Sequence, residues 1–152
     1  MGVFFFIVMV NIVIYTDKLP VGTAGCANGP VIRIRPKYKD DVGLHKHEEL
    51  HTIQWWLGVL IGCLIGAAMA LVPALAPWAE YWHFAPVIGA GLHPLAYRFV
   101  WQYRLWSEVQ CYRLQAGYYP DDRRLLFAHY VHTSYSLGDK VTERQIYEML
   151  KV

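Results

Sequence analysis

From Trp55 to Ala79 the chain runs for 25 residues without a charged side chain, and no other stretch limits its folding options as much. At about 1.5 Å of rise per residue, a helix of that length is long enough to cross a bilayer. Within it Gly58, Gly62, Gly66 and Ala70 recur at every fourth position, placing a small stripe on one helical face where another backbone can approach closely. Pro73 and Pro77 work against an unbroken span. The run therefore reads either as a membrane-embedded helix over about 57–78, or as a buried helix that ends near Val72 in an apolar turn. The stripe serves both, and in a membrane it also offers a face for self-association. Hydrophobic residues make up 55% of the 152, charged residues 17%, and the mean hydropathy is +0.21, so membrane association is favoured over a cytoplasmic location.

Directly before this run stands HKHEELHTIQWW, residues 45–56, with His47-Glu48-Glu49-Leu50-His51 forming HExxH. Residues four apart on a helix lie one turn above each other, so His47 and His51 can aim imidazoles at one ion while Glu48 flanks the same water. Zn2+ suits two imidazoles, a carboxylate and an open water position. It would lower the pKa of that water and polarise a carbonyl, with Glu48 taking the water proton and returning it to a leaving amine. The bland alternative is an amphipathic helix with solvated histidines.

A third protein ligand must come from elsewhere. Glu108, in RLWSEVQCYR, is the preferred candidate, since a later helix can bring it beside the first; Glu80, His83 and His93 are rivals, and pairing of Glu108 with Arg104 or Arg113 is the structural alternative. If 55–79 spans a bilayer, Glu80 and His83 fall about 30 Å from His47, which favours Glu108. Tyr112, one turn beyond Glu108, is a candidate for steadying a developing oxyanion, against the plainer role of a core tyrosine. His45 and Glu49 point away from the reaction face. Gln54 is placed to hydrogen-bond near the site or to support the helix, and Trp55 and Trp56 suit an interfacial belt or a core equally. His129 and His132 lack a carboxylate to complete a second site.

The rest of the chain reads as one α+β domain. Residues 9–15 and VIRIR at 31–35 are β-branched and alternating, which predicts a small N-terminal antiparallel sheet with strands over about 3–35. The apolar start, MGVFFFIVMVNIVIY, is read as strand rather than as a secretory h-region because it lacks a positive n-region, and Met9 offers an internal start. Asp40 or Asp41 can cap a helix over about 42–57. A loop covers 84–94, a ligand-bearing helix about 95–116, and C-terminal helices about 121–150, the last opened by Thr142 and Gln145 at capping-box spacing. Cys26, Cys63 and Cys111 are an odd number outside any CxxC pair, which signals buried thiols. A net charge of +2 with no basic block gives no support to nucleic acid binding.

These features resemble the HExxH zinc metallopeptidases, and most closely the compact gluzincin-like peptidases predicted among bacterial and phage proteins. VIRIR leading into His47-Glu48-xx-His51, Gln54 three residues on, and a later Glu108-xxx-Tyr112 helix match that order over roughly residues 9–120; no HxxGxxH follows, unlike the metzincins. The resemblance implies a zincin-like helical domain in which His47, His51 and Glu108 are ligands and Glu48 is the base. It implies a polypeptide substrate, which could add in extended form to a sheet edge. The competing reading is a non-catalytic membrane or assembly protein with a structural metal site or none.

Overall fold

The computed structural model describes residues 10–135, 137 and 140–151. Strand β1 (Ile12–Tyr15) is followed by β2 (Gly25–Asn28) and β3 (Val31–Ile34), in the spatial order β1-β3-β2. Positions 3–9 of the expected first strand lie outside the described residues. The sheet is mixed rather than antiparallel, because β1 pairs parallel with β3 while β2 pairs antiparallel with it. Two reversals produce this arrangement. The chain doubles back over 16–24, where the Arg35 guanidinium gathers the carbonyls of Asp17, Leu19, Pro20 and Thr23. It turns again at Gly29, whose φ of +61° favours glycine, and β3 then slots between the other two strands. The alternation in VIRIR holds, with Ile32 and Ile34 buried against Leu44 and Tyr38.

Helix α1 (Val42–Leu71) starts where the Asp41 carboxylate accepts from the Leu44 amide at 2.9 Å. The Tyr119 hydroxyl donates to the same carboxylate at 2.7 Å, tying this cap to the C-terminal part of the fold. The separate helices expected over 42–57 and 57–78 are one unbroken 30-residue helix, because no proline falls between them and Gly58 is held in the helix by its packing against Gly89. It ends at Val72, before the Pro73 that cannot continue it. Short 3-10 turns occupy Pro73–Phe84, and α2 (Ala85–Phe99) then runs back along α1. The loop expected over 84–94 is therefore helical: Pro86 sits in the tolerated first turn, and Pro94 is accommodated inside the helix.

Val100 adopts an extended conformation and separates α2 from α3 (Trp101–Ala116), dividing the expected 95–116 helix. Helices α4 (Arg124–Ser134) and α5 (Glu143–Lys151) complete the chain, with Thr142 and Gln145 exchanging the expected capping bonds. Leu105, Val109, Phe127, Val131, Ile146 and Leu150 form the main core between α3, α4 and α5.

Along α1 the packing changes character. Its N-terminal half buries His47, Glu48, Thr52 and Gln54 against the sheet and α3, whereas beyond Trp56 its buried positions are Gly58, Gly62 and Gly66. These face α2 at backbone contact distance. A Cβ added at Gly62 would stand 2.2 Å from the Ala85 carbonyl oxygen, and one at Gly89 would stand 2.4 Å from the Gly58 carbonyl oxygen. The glycines of the small stripe are thus filled within the chain, while Ala70 stays exposed.

Candidate functional site

The HExxH turn lies between the edge of the sheet and α3, and all of its polar side chains that matter are removed from solvent. His47 and Glu48 are each 4% exposed and Glu108 is 1% exposed. His47 Nε2 and His51 Nε2 stand 3.2 Å apart. Glu108 closes a triangle with them, Oε2 lying 3.6 Å from His47 Nε2 and Oε1 3.3 Å from His51 Nε2. Glu108 pairs with neither Arg104 nor Arg113 among the described residues; those side chains donate to the Tyr97 and Met149 carbonyls.

The hydrogen bonds around this triangle orient its members. Ser107 Oγ donates to Gln54 Oε1 at 2.6 Å, and that oxygen lies 3.2 Å from His51 Nδ1. An amide oxygen only accepts, so Nδ1 carries a proton and Nε2 faces into the triangle. Tyr97, delivered by α2, donates to Glu108 Oε1 at 2.5 Å. Glu108 Oε2 and His47 Nδ1 are buried without a hydrogen-bond partner. Burial alone would raise the Glu108 carboxyl, but the neighbouring His51 and His47 outweigh it and hold it well below the usual carboxylate range. The ionised carboxylate and the two imidazole nitrogens converge on one point, where an imidazole proton shared with Glu108 or a bound cation balances the buried charge.

Ligand atoms around a tetrahedral zinc, with bonds of about 2.0–2.1 Å, are separated by about 3.3 Å, close to the sides of this triangle. Cys111 is the other metal-competent group nearby. His47, His51 and Cys111 form a buried set whose ligand atoms lie within 4.8 Å of one another and which could hold a metal ion. The Cys111 sulfur approaches His51 from the Nδ1 side, at 3.5 Å, away from the face that meets Glu108.

Glu48 occupies a different wall. Its carboxylate accepts from the Ala27 amide of β2, and burial pushes its carboxyl up. It fits because residue 25 is glycine: a Cβ there would stand 2.9 Å from Glu48 Oε1. The Arg35 amide bonds the Ala24 carbonyl, so by antiparallel alternation Cys26 and Asn28 face β3 while the backbone groups of Gly25 and Ala27 face outward along the sheet's edge, where the Ala27 amide meets Glu48.

Tyr112 reaches the site through its ring, which packs edge-on against His47 with centroids 4.4 Å apart; its hydroxyl meets that of Tyr135 at 3.4 Å. Of the rival ligands, His93 lies beside His51 with ring centroids 6.4 Å apart, and its Nδ1 meets the Tyr103 hydroxyl at 2.8 Å. Glu80 and His83 are exposed in the 3-10 turns at the far end of α1, where the Trp82 carbonyl faces Gly66, about 22 Å along the helix from His51. They belong to another part of the molecule. His45 contacts the Lys39 carbonyl, and Glu49 pairs with Lys46. Trp55 lies against the Gly29 turn and stacks edge-on with Trp56. His129 pairs with Glu143 on the surface.

Sequence reasoning missed Tyr97, Ser107, Cys111 and Gly25. Cys111 carried a usable signal, since it lies three residues beyond Glu108 on a shared helical face. Tyr97 and Gly25 carried none, because their roles depend on α2 folding back and on the extra strand. No protein-family model, curated protein or solved structure matches the chain.

Proposed function

We propose that this protein is a zinc-dependent peptidase of zincin-like design that hydrolyses peptide bonds in a polypeptide substrate. The observation that carries this reading is the triangle of His47 Nε2, His51 Nε2 and the Glu108 carboxylate, beside the buried carboxyl of Glu48. His47, His51 and Glu108 would hold the metal, which would supply Lewis-acid polarisation of a carbonyl and acidify water. Glu48 acts as the base: it accepts a proton from the attacking water and returns it to the departing amine, a task favoured by a carboxyl whose pKa burial has raised toward neutrality. Gln54 and Ser107 keep His51 in the tautomer that presents Nε2, and Tyr97 holds the Glu108 carboxylate. The outward backbone groups of Gly25 and the Ala27 carbonyl lie beside Glu48 and would align an extended peptide as an added strand. Tyr112 fixes the His47 ring, and its hydroxyl could serve an oxyanion after turning from Tyr135.

The test pairs metal analysis with turnover. Glu108→Ala is expected to lose zinc at least tenfold more readily than wild type, whereas Glu48→Ala should retain stoichiometric zinc and lose at least a hundredfold in hydrolysis of a diverse peptide library. Full zinc binding by Glu108→Ala would remove the proposed third ligand. An inactive but fully zinc-loaded wild type would remove the peptidase reading.

Cys111 supports a second reading, a non-catalytic structural site in which the thiolate replaces open coordination. Cobalt substitution separates the two. A thiolate-to-metal charge-transfer band that Cys111→Ser abolishes would establish sulfur ligation, and its absence would favour the carboxylate set.

A further inference from the structure

We propose that residues 57–97 form a helical hairpin that spans a lipid bilayer, with the metal-binding body seated against one membrane face at the hairpin's base. The inference stands independently of the peptidase reading. The C-terminal half of α1 is packed inside out relative to a soluble amphipathic helix: its glycines face α2, while Leu57, Ile61, Leu64 and Ile65 point outward at 45–62% exposure. Only 22% of its most apolar 18-residue window is buried within the molecule, so the helix is not a core helix. On α2 the same pattern recurs, with Val87, Ile88, Leu95 and Phe99 exposed. Water cannot be the preferred neighbour of so large a continuous apolar surface.

Four features select lipid over a protein partner. First, the apolar residues lie on the outward faces of both helices and in the groove between them, which is lined by Ile65, Met69, Phe84 and Ile88. A second hairpin would cover one side and leave the others wet. Second, apart from Cys63, the first leg and most of the tip carry no ionisable side chain until Glu80; His83 follows it in the tip, and His93 and Tyr97 are turned toward the site. Third, aromatic residues gather at both ends, with exposed Trp78, Tyr81 and Trp82 at the tip and Trp55, Trp56 and Trp106 at the base. Fourth, the legs Leu57–Leu71 and Ala85–Tyr97 are about 22 Å and about 20 Å long, so together with the apolar tip they reach the depth of a hydrocarbon core about 30 Å thick. The tip must reach the far headgroups, since the last carbonyls of α1 and the proline-interrupted turns need polar partners that hydrocarbon lacks.

Cys63, exposed near the middle of the first leg, is a built-in reporter. Full-length protein would be reconstituted into vesicles of phosphatidylcholine and phosphatidylglycerol, floated on a density gradient, washed with alkaline carbonate and treated with a membrane-impermeant maleimide, with labelling read peptide by peptide. The expected result is flotation that survives the wash, with Cys63 labelled at least tenfold more slowly than in denatured protein. An Ile61→Lys, Leu64→Lys variant, changed only at exposed positions, should float at least fivefold less while binding zinc as wild type does. A detergent-free monomer that stays at the bottom of the gradient would overturn the proposal. So would association stripped by carbonate, which means surface adsorption, or a soluble dimer with a protected Cys63, which assigns the apolar face to a second copy.

Discussion

At the scale of single residues, the site depends on side chains that hold other side chains. Tyr97→Phe removes the donor to Glu108 and leaves its ring in place, so zinc affinity is expected to fall about 10- to 100-fold in a competitive chelator titration. Gly25→Val is expected to act differently. Its Cβ collides with Glu48 Oε1, so turnover should fall at least tenfold with zinc content unchanged, whereas a loss of metal would show that β2 supports the histidines as well. The one-turn spacing of His47, Glu48 and His51 was legible in the sequence, and the approach of Glu108 to both histidines followed from placing it on a later helix that can lie beside the first. Ser107 acts on Gln54 across 53 residues of sequence, Tyr97 acts on Glu108 across the break between α2 and α3, and Gly25 acts through a strand too short to recognise, so no local pattern encodes these contacts.

At the scale of elements, the start of α1 shows how separate parts of the chain share one joint. Asp41 caps the helix and also receives the Tyr119 hydroxyl, and a side chain at Gly43 would collide with the Tyr119 ring at 2.8 Å. Asp41→Ala is expected to cost about 1–2 kcal/mol in chemical denaturation, the usual range for a lost N-cap. Burial, reinforced by the Asp41 carboxylate, pushes the Tyr119 hydroxyl up to about 12. An unfolded tyrosine ionises near 10, so this contribution is complete below about pH 10 and is lost as pH rises toward 12. Tyr119→Phe should flatten that part of the pH–stability curve, and an unchanged slope would place the alkaline loss elsewhere. The start of this helix, its end before Pro73 and the last capping box were all readable from short-range chemistry. The parallel pairing of β1 was not, since it depends on a loop gathered by Arg35, and α2 was hidden because its glycines and prolines resemble a loop until a second helix is laid against them.

At the scale of the whole molecule, the hairpin sorts charge as well as apolar surface. Its tip, Pro73–Phe84, contains no lysine or arginine, whereas Lys46, Arg98 and Arg104 flank the base. Were the hairpin to span a bilayer, the positive-inside rule would put the body on the cytoplasmic side. In intact bacterial cells, Glu80→Cys should be modified by an impermeant maleimide added outside, while Cys26 in the body stays unmodified until lysis; the reverse pattern would invert the topology. The apolar run was plain in the sequence, but its two legs were not. Pro73 and Pro77 supported a stop equally well as a turn, and only the backbone fit of Gly58 and Gly62 against Gly89 shows which they make.

Because α1 is unbroken from His51 to Leu71 and α2 returns to deliver Tyr97, both legs of the hairpin end on the same carboxylate, one through a histidine and the other through a hydroxyl. The crossing angle of the legs therefore sets the alignment of ligand and support. In a bilayer that angle answers to the length of the surrounding acyl chains, because a helix pair shorter or longer than the hydrocarbon must tilt or splay. Membrane thickness would thereby act as an effector without a binding pocket: in vesicles that differ only in chain length, hydrolysis of a water-soluble peptide should pass through a maximum while zinc content stays constant.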